Sequence, residues 1–330
     1  MANMFDTRYM GFDCASMDEI TTVRKLTKLA PILYAQPCKT AQDIDTCVRH
    51  GIRATVVDSP EEMSKLANAS WKSDVLIRLM VPDSNSKQPF SRKFGAPLEW
   101  IPEIINIAKK SKISVSGFSF HVGSECENPE QFSKALQVCR LAIDQAVFAC
   151  NYDLKKLKTI DIGGGFLPTE TNIAHVSQVL ESSREKYFPE TDGLKLDWIA
   201  EPGRFMSSSC QTLYTPVIGR KRGLPSNDPD APEYRYTLHE SVYGYFSNIP
   251  FDGQKPEFKV AHAQEPLNNS THRSILFGRT CDGADIINPN VKIPLLQEGD
   301  WLEIENMGSY TNVTASEFNG FPKPAVIYLE

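Results

Sequence analysis

Four segments of this sequence end in residue types that do chemistry: GFDCAS at 11–16, SFHVGS at 119–124, DIGGGF at 161–166 and AEPGRF at 200–205. Gly163, Gly164 and Gly165 lead towards a helix, where bare backbone N–H groups can cradle a phosphate. A tight turn accounts for the same glycines. Ser124 could add a hydroxyl donor, and Arg204 a forked guanidinium. Glu201, at the head of Glu201-Pro202-Gly203-Arg204, reads either as an ion-pair partner of Arg204 or as a carboxylate set against a protonated ring nitrogen. His121 is either a satisfied core or edge histidine or, given its glycine-bearing strand end, a functional imidazole. A further cluster, Thr280-Cys281-Asp282-Gly283, offers a thiol proton donor beside a cation-binding carboxylate. Its alternative is a buried thiol and a turn-forming aspartate.

These groups need elements to position them. β-rich runs over Gly11–Ser16, Ile32–Pro37, Ala54–Ser59, Val75–Met80, Gly117–Ser124, Thr159–Phe166 and Asp197–Phe205 alternate with amphipathic stretches. The stretches over Met17–Leu29, Ala41–Gly51, Glu61–Ala69, Glu99–Ser111, Pro129–Ala149 and Ile173–Tyr187 carry apolar residues at helical spacing, as in Ile101, Ile104, Ile105 and Ala108. Near-continuous apolar strands alternating with helices predict a parallel sheet with ligands at the carboxyl ends of its strands. Seven strand–helix units leave two options, an open doubly wound sheet or a (β/α)8 barrel without its first unit. Past residue 208 the texture changes to short strands, predicted over Tyr234–Leu238, Ser274–Phe277, Trp301–Ile304 and Ala325–Leu329, with a polar loop over Gly223–Glu233. The expected organisation is an incomplete barrel over 1–208 and an all-β sandwich over 209–330.

The 330 residues are 41% hydrophobic with a net charge of −6, enough for one large or two ordinary domains. Lys and Arg are spread along the chain, which argues against nucleic acid. No apolar signal core and no run near the ~18 residues of a membrane helix point to a cytoplasmic protein with no membrane partner. The eight cysteines form no C-x-x-C pair or zinc pattern, so no metal is expected and free, mostly buried thiols are.

Taken together, GFDCAS, PCK, KFGA, SFHVGSEC, DIGGGF, KYFP, IAEPGRF, VYGYF, TCDGAD, GDW, ENMGSYTN and FNGF run in the order found in eukaryotic ornithine decarboxylases. The resemblance spans residues 11–330. It implies a pyridoxal 5′-phosphate-binding (β/α)8 TIM-like barrel, a β-sandwich domain, and a homodimer with shared active sites. It further implies that His121 stacks on the pyridine ring and that Glu201 keeps the ring nitrogen protonated. Ser124, Gly165, Gly203, Arg204 and Tyr310 would hold the phosphate, Gly163, Gly164 and Pro202 would belong to the same cofactor site, and Asp13 and Arg78 would lie near its Schiff-base side. Phe251, Asp252 and the partner's Asp282 would face the distal ammonium of ornithine, and the partner's Cys281 would protonate the carbon after CO2 leaves. The product would be putrescine, in polyamine biosynthesis.

The sequence departs from that family in several places. The cofactor lysine belongs to a Tyr-Ala-x-Lys strand some twenty residues before DCAS, and only twelve residues precede Asp13. The same segment holds the eighth strand–helix unit. The simplest expectation is a chain that begins inside a longer protein, with Met1 or Met4 an internal methionine and helical residues before Gly11. Very poor turnover is expected of these 330 residues alone. Glu125 stands where the family has Gly, and is unfavourable near phosphate unless it turns outward. His239-Glu240-Ser241 replaces Asn-Asp-Gly, Phe251 replaces Tyr, and Arg279 replaces Pro. The competing expectations are a catalytically inactive, antizyme-binding protein that resembles antizyme inhibitor, or a related arginine or lysine decarboxylase.

Overall fold

The computed structural model describes residues 10–268 and 270–329. The chain divides into two compact units, Met1–Pro202 and Gly203–Glu330. The helix expected before Gly11 lies outside the described residues.

The first unit is built on seven parallel strands: β1 (Phe12–Cys14), β2 (Ile32–Tyr34), β3 (Ala54–Val57), β4 (Asp74–Arg78), β6 (Ser114–Ser119), β8 (Thr159–Asp161) and β9 (Asp197–Ile199). Two further strands, β5 (Ser86–Gln88) and β7 (Ser124–Cys126), form a separate antiparallel ribbon. The spatial order β1-β2-β3-β4-β6-β8-β9 follows the chain without reversal. A doubly wound sheet reverses at a switch point, so these strands are consecutive staves of a barrel. That order decides between the two options the strand count left open.

Helices α1 (Met17–Leu26), α2 (Ala41–Arg49), α3 (Pro60–Asn68), α4 (Ile101–Ser111), α5 (Glu130–Asp144) and α6 (Glu170–Tyr187) join the staves. Their starts are written in the sequence. Ser16, Ser59 and Thr169 accept a backbone N–H of the first turn, and Thr40 with Asp43 makes a reciprocal capping box. In α4 the apolar stripe Ile101, Ile104, Ile105 and Ala108 is fully buried, as its spacing predicts. The stretch expected to be one helix over Pro129–Ala149 changes character at Gln145–Ala149, where the turns widen to π geometry.

The second unit opens with the short helix α7 (Gly203–Ser207). Its strands are β10 (Leu213–Arg222), β11 (Tyr234–Leu238), β12 (Lys259–His262), β13 (Thr271–Phe277), β14 (Ile286–Pro294) and β15 (Trp301–Ile304), with α8 (Asn248–Asp252) between β11 and β12. The strand β10 serves two layers. Residues 213–216 pair with β15, and residues 217–222 pair with β11 across an irregularity at Val217 and Gly219. A strand that changes partners at a bulge turns a corner between sheets. Leu213, Val217, Tyr236, Leu276, Ile293 and Leu302 from both layers form one buried cluster. Among the described residues the strand expected over Ala325–Leu329 does not form: the segment has no ladder partner there, and Ile327, Tyr328 and Leu329 are more than four-fifths exposed. Its apolar alternation matched a strand, but a strand also needs a neighbouring edge. Among the described residues, no helix is long and apolar enough to cross a membrane.

Candidate active site

Parallel staves deliver their carboxyl ends to one side of the first unit. Asp13 lies in β1, Arg78 ends β4, His121 follows β6, Asp161 ends β8 and Glu201 follows β9. The sheet is curved enough for its two edges to interact: Glu201 and Arg78 both act electrostatically on Asp13. Arg78 in turn feels Glu201, Asp58, Asp13 and Asp161, and its guanidinium lies 4.7 Å from the ring centroid of Phe94.

Asp13, Asp161 and Glu201, crowded together beside that guanidinium, cannot all ionise cheaply. Desolvation, then Glu201, raises Asp13 to about 7. Desolvation lifts Asp161 to about 6, although hydrogen bonds from Glu201 and from the Gly163 N–H oppose it. Glu201 is pushed well above the usual carboxylate range by desolvation and by its hydrogen-bonded neighbour Asp161. Desolvation and Arg78 depress His121 to about 3, so the imidazole is neutral. Its Nδ1 accepts the Gly123 N–H at 3.0 Å, which fixes the tautomer with the proton on Nε2. The Phe90 ring stands 4.8 Å from it, tilted by 57°.

The glycine run earns its composition through close backbone approach. Gly163 has φ +62°, and a Cβ there would meet Phe120 O at 2.2 Å. At Gly164 a Cβ would lie 2.7 Å from Glu201 O and 2.9 Å from His121 Nε2. At Gly165, with φ +103°, it would reach Gly123 O at 2.4 Å. The Gly163 N–H is used, donating to Asp161 Oδ1 at 2.9 Å. Among the described residues no hydrogen bond engages the N–H of Gly164 or Gly165. Ser124 is held beside them, since Cys126 N–H donates to Gly165 O at 2.9 Å. Gly163→Ala is therefore expected to destabilise the first unit by about 2 kcal/mol or more, read as a lower denaturant midpoint. An unchanged midpoint would contradict the close approach.

Glu125 does not turn outward. It is 5% exposed, adopts φ +51° where glycine would be unstrained, and pairs with Lys87. The ion pair answers the electrostatic objection to a carboxylate here, at a backbone cost of about 1 kcal/mol.

In the second unit, Arg204 pairs with Asp252, and both side chains are at most 13% exposed. The Tyr310 ring centroid lies 5.1 Å from the guanidinium, and a Cβ on Gly203 would pass 3.6 Å from the Tyr310 hydroxyl. Ser207 and Ser309 hydroxyls bond at 2.8 Å, holding the Gly203–Ser207 helix to the Tyr310 turn. Arg204 and Asp252, expected to serve phosphate and substrate separately, are thus in direct contact. Phe251, beside Asp252, is 72% exposed.

Cys281 and Asp282 form a second cluster in this unit. The Cys281 thiol is exposed rather than buried. Asp282 accepts from the Tyr243 hydroxyl and from Ala284 N–H at 2.9 Å. The loop hangs on Asp285, which is 1% exposed and accepts from Thr280 N–H at 3.0 Å, Thr280 Oγ1 at 2.6 Å and Val242 N–H at 3.0 Å. Asp285→Ala is expected to cost about 2–3 kcal/mol through these orphaned donors. It should also change the alkylation rate of Cys281; an unaltered rate and melting point would contradict the hub.

The departures at His239 and Arg279 are one contact. Arg279 reaches the His239 ring nitrogens at 3.3 Å, donates to Pro322 O at 2.9 Å and lies 4.4 Å from the Phe321 centroid. It also lowers Glu240, which desolvation raises overall.

Sequence reasoning passed over Asp161, Asp285 and Tyr243, although each stands inside a motif already singled out: DIGGGF, TCDGAD and VYGYF. Two residues before the glycine run, at a strand end, was the available signal for Asp161.

The glycine N–H groups call for an anion and the carboxylates for a cation. A phosphorylated aromatic ring with a protonated nitrogen supplies both, which makes the first unit a cofactor-binding barrel that fits pyridoxal phosphate. Residues 1–208 match the sequence profile of the pyridoxal-dependent decarboxylase family, pyridoxal binding domain. The chain belongs to this family, whose cofactor is pyridoxal 5′-phosphate. Antizyme inhibitor 2 of Xenopus laevis is 35% identical over 328 residues, covering 96% of this chain and 70% of that protein. Ornithine decarboxylase of Mus musculus is 34% identical over 330 residues, covering 97% and 70%. The arginine decarboxylase of Paramecium bursaria Chlorella virus, solved with agmatine, superposes with a TM-score of 0.84 at 32% identity, covering 94% of this chain and 82% of that one.

Proposed function

We propose that this chain carries the site of an L-ornithine decarboxylase that yields putrescine and CO2. The observation that carries the reading is the hydrogen-bonded Glu201–Asp161 pair beside Asp13, Arg78 and neutral His121, next to the glycine run. When bound, the cofactor supplies an electron sink for the pair of electrons left as CO2 departs.

The chain's own residues do the rest. Glu201 would hold the ring nitrogen's proton, and its neighbour Asp161 would position it there. His121, kept neutral by Arg78 and desolvation, packs on the ring face without adding a competing charge. On the family resemblance, the Gly164 and Gly165 N–H groups and Ser124 would bind the phosphate, and Gly203, Arg204 and Tyr310 would do the same. Asp13 and Arg78 flank the reacting end. Asp252 shares its charge between Arg204 and the substrate's distal ammonium, cationic at neutral pH, and the partner subunit's Asp282 reads the same head group. The partner subunit's exposed Cys281 delivers the proton to the carbon that lost CO2. The reading therefore includes a homodimer.

A second reading has its own support. Identity to antizyme inhibitor 2 is within one percentage point of that to the mouse enzyme, at 35% and 34%, so an antizyme-binding protein without turnover is the alternative. CO2 release by the full-length protein with pyridoxal phosphate, from ornithine, lysine and arginine in parallel, separates them. Ornithine is expected to be turned over at least about tenfold more efficiently than the others, a preference of about 1.4 kcal/mol. Release from arginine or lysine alone reassigns the substrate. Absence of release together with tight antizyme binding replaces the proposal.

A further inference from the structure

The face of the first unit opposite the carboxyl ends of its strands carries a separate concavity. Strands β4 and β6 start at Asp74 and Ser114, and β8 starts just after Lys158. Between these starts lies a cavity of about 530 Å³ whose lining includes Lys109, Lys112, Lys155, Lys156 and Lys158. In sequence these lysines form two dispersed groups; the parallel packing of adjacent staves brings them to one place. Two aspartates, Asp74 and Asp153, also line it, which leaves a local charge of +3 in a chain of net charge −6.

The rim is fixed by bonds that do not consume the charge. Lys109 Nζ donates to Cys150 O at 2.6 Å, tying the end of α4 to the turn before β8. The Tyr152 hydroxyl accepts from Val115 N–H at 2.8 Å and donates to Val115 O at 3.0 Å. Asp153 is occupied in part by the Lys155 N–H at 3.0 Å. Lys112 caps α4 with φ +56°. None of Lys112, Lys155, Lys156 or Lys158 makes an ion pair among the described residues. Ser116, 7% exposed, adds a hydroxyl to the lining.

Several ammonium groups within about a Debye length repel one another, and a multiply charged anion relieves them all at once. The lining has no arginine, so it offers point charges suited to phosphate rather than the flat fork that selects carboxylates. Its volume falls in the range of small-molecule sites, about 300–1,000 Å³. We propose that this cavity binds a short phosphate chain, either inorganic or that of a nucleoside triphosphate. The site is independent of the decarboxylase reading, because it lies at the other end of the staves.

The test is calorimetric titration of the full-length protein with inorganic tripolyphosphate, and in a separate arm with ATP, at 150 mM salt. Excess pyridoxine 5′-phosphate, which has no aldehyde to modify lysines, occupies the glycine cradle. One additional site is expected. The triple variant Lys112→Gln/Lys155→Gln/Lys158→Gln should weaken it by at least about tenfold, while Lys25→Gln/Lys28→Gln/Lys186→Gln, with the same loss of charge elsewhere, should leave it intact. Tighter binding of ATP supports the site and points to a nucleoside triphosphate; equal or tighter binding of tripolyphosphate supports it as a site for the phosphate chain alone. The proposal is overturned by the absence of heat at this salt, by unaltered binding in the first triple variant, or by equal loss in the second, which would mean general surface charge.

Discussion

Glu201→Gln is expected to lower decarboxylation of ornithine by about 10²- to 10³-fold, the range typical of removing one preorganised charged partner from a reaction centre. The amide keeps the shape and loses the charge. In the cofactor-free site, desolvation and Asp161 keep Glu201 well above the ordinary carboxylate range. A protonated ring nitrogen reverses that balance, because an opposite charge in contact favours the carboxylate. A neutral amide at this position cannot respond in this way, so the ring would be bound with a weaker hold on its proton. Asp161→Asn should have the same sign and a smaller effect, acting through the position of Glu201. Equal rates for Glu201→Gln and the unaltered protein would remove Glu201 from the reaction.

The second large effect is at Arg204. Its ion pair with Asp252 is held by side chains 8% and 13% exposed. Breaking such a pair from one side leaves a desolvated charge and costs about 3–5 kcal/mol. Arg204→Ala should therefore depress the melting temperature of the second unit markedly and also weaken cofactor binding. Arg204→Met/Asp252→Leu removes both charges and should recover much of the stability while cofactor affinity stays low. That split separates the structural from the binding role, because a purely structural arginine would regain both. Arg204→Lys should be poorly tolerated, since a point charge does not reproduce the fork or its stacking with Tyr310.

The parts of the fold that were legible in the sequence are those set by local periodicity. The stripe of α4 and the polar strand ends follow from side chains a few residues apart. Seven parallel staves appear where seven β-rich runs were expected. The rest depends on distant partners. The in-sequence order of the staves is a property of the packed sheet, and neither strand count nor apolar pattern encodes it. Asp252 as the partner of Arg204 is forty-eight positions away. Lys87 as the counterion of Glu125 sits on a facing strand of the ribbon, so the glutamate read in isolation looked electrostatically misplaced. Arg279 and His239 looked like independent departures because forty residues separate them, and they meet only once the second unit is folded. Ala325–Leu329 shows the converse, a pattern suited to a strand that finds no ladder to join among the described residues.

The most direct test of the account is cofactor affinity of the full-length protein measured from pH 8 to pH 5.5, for the unaltered sequence and for Glu201→Gln. Asp13 titrates at about 7 and Asp161 at about 6, and Glu201 also lies high. Asp13 and Asp161 are carboxyl groups raised into this window, so lowering the pH through it protonates them and weakens the negative field of the cluster around the ring. Affinity should fall as the pH falls, beyond the loss from phosphate titration near pH ~6, which both proteins share. Glu201→Gln should bind more weakly at pH 8 and show a flatter profile. The same affinity and the same profile in both proteins would contradict the placement of the cofactor on Glu201.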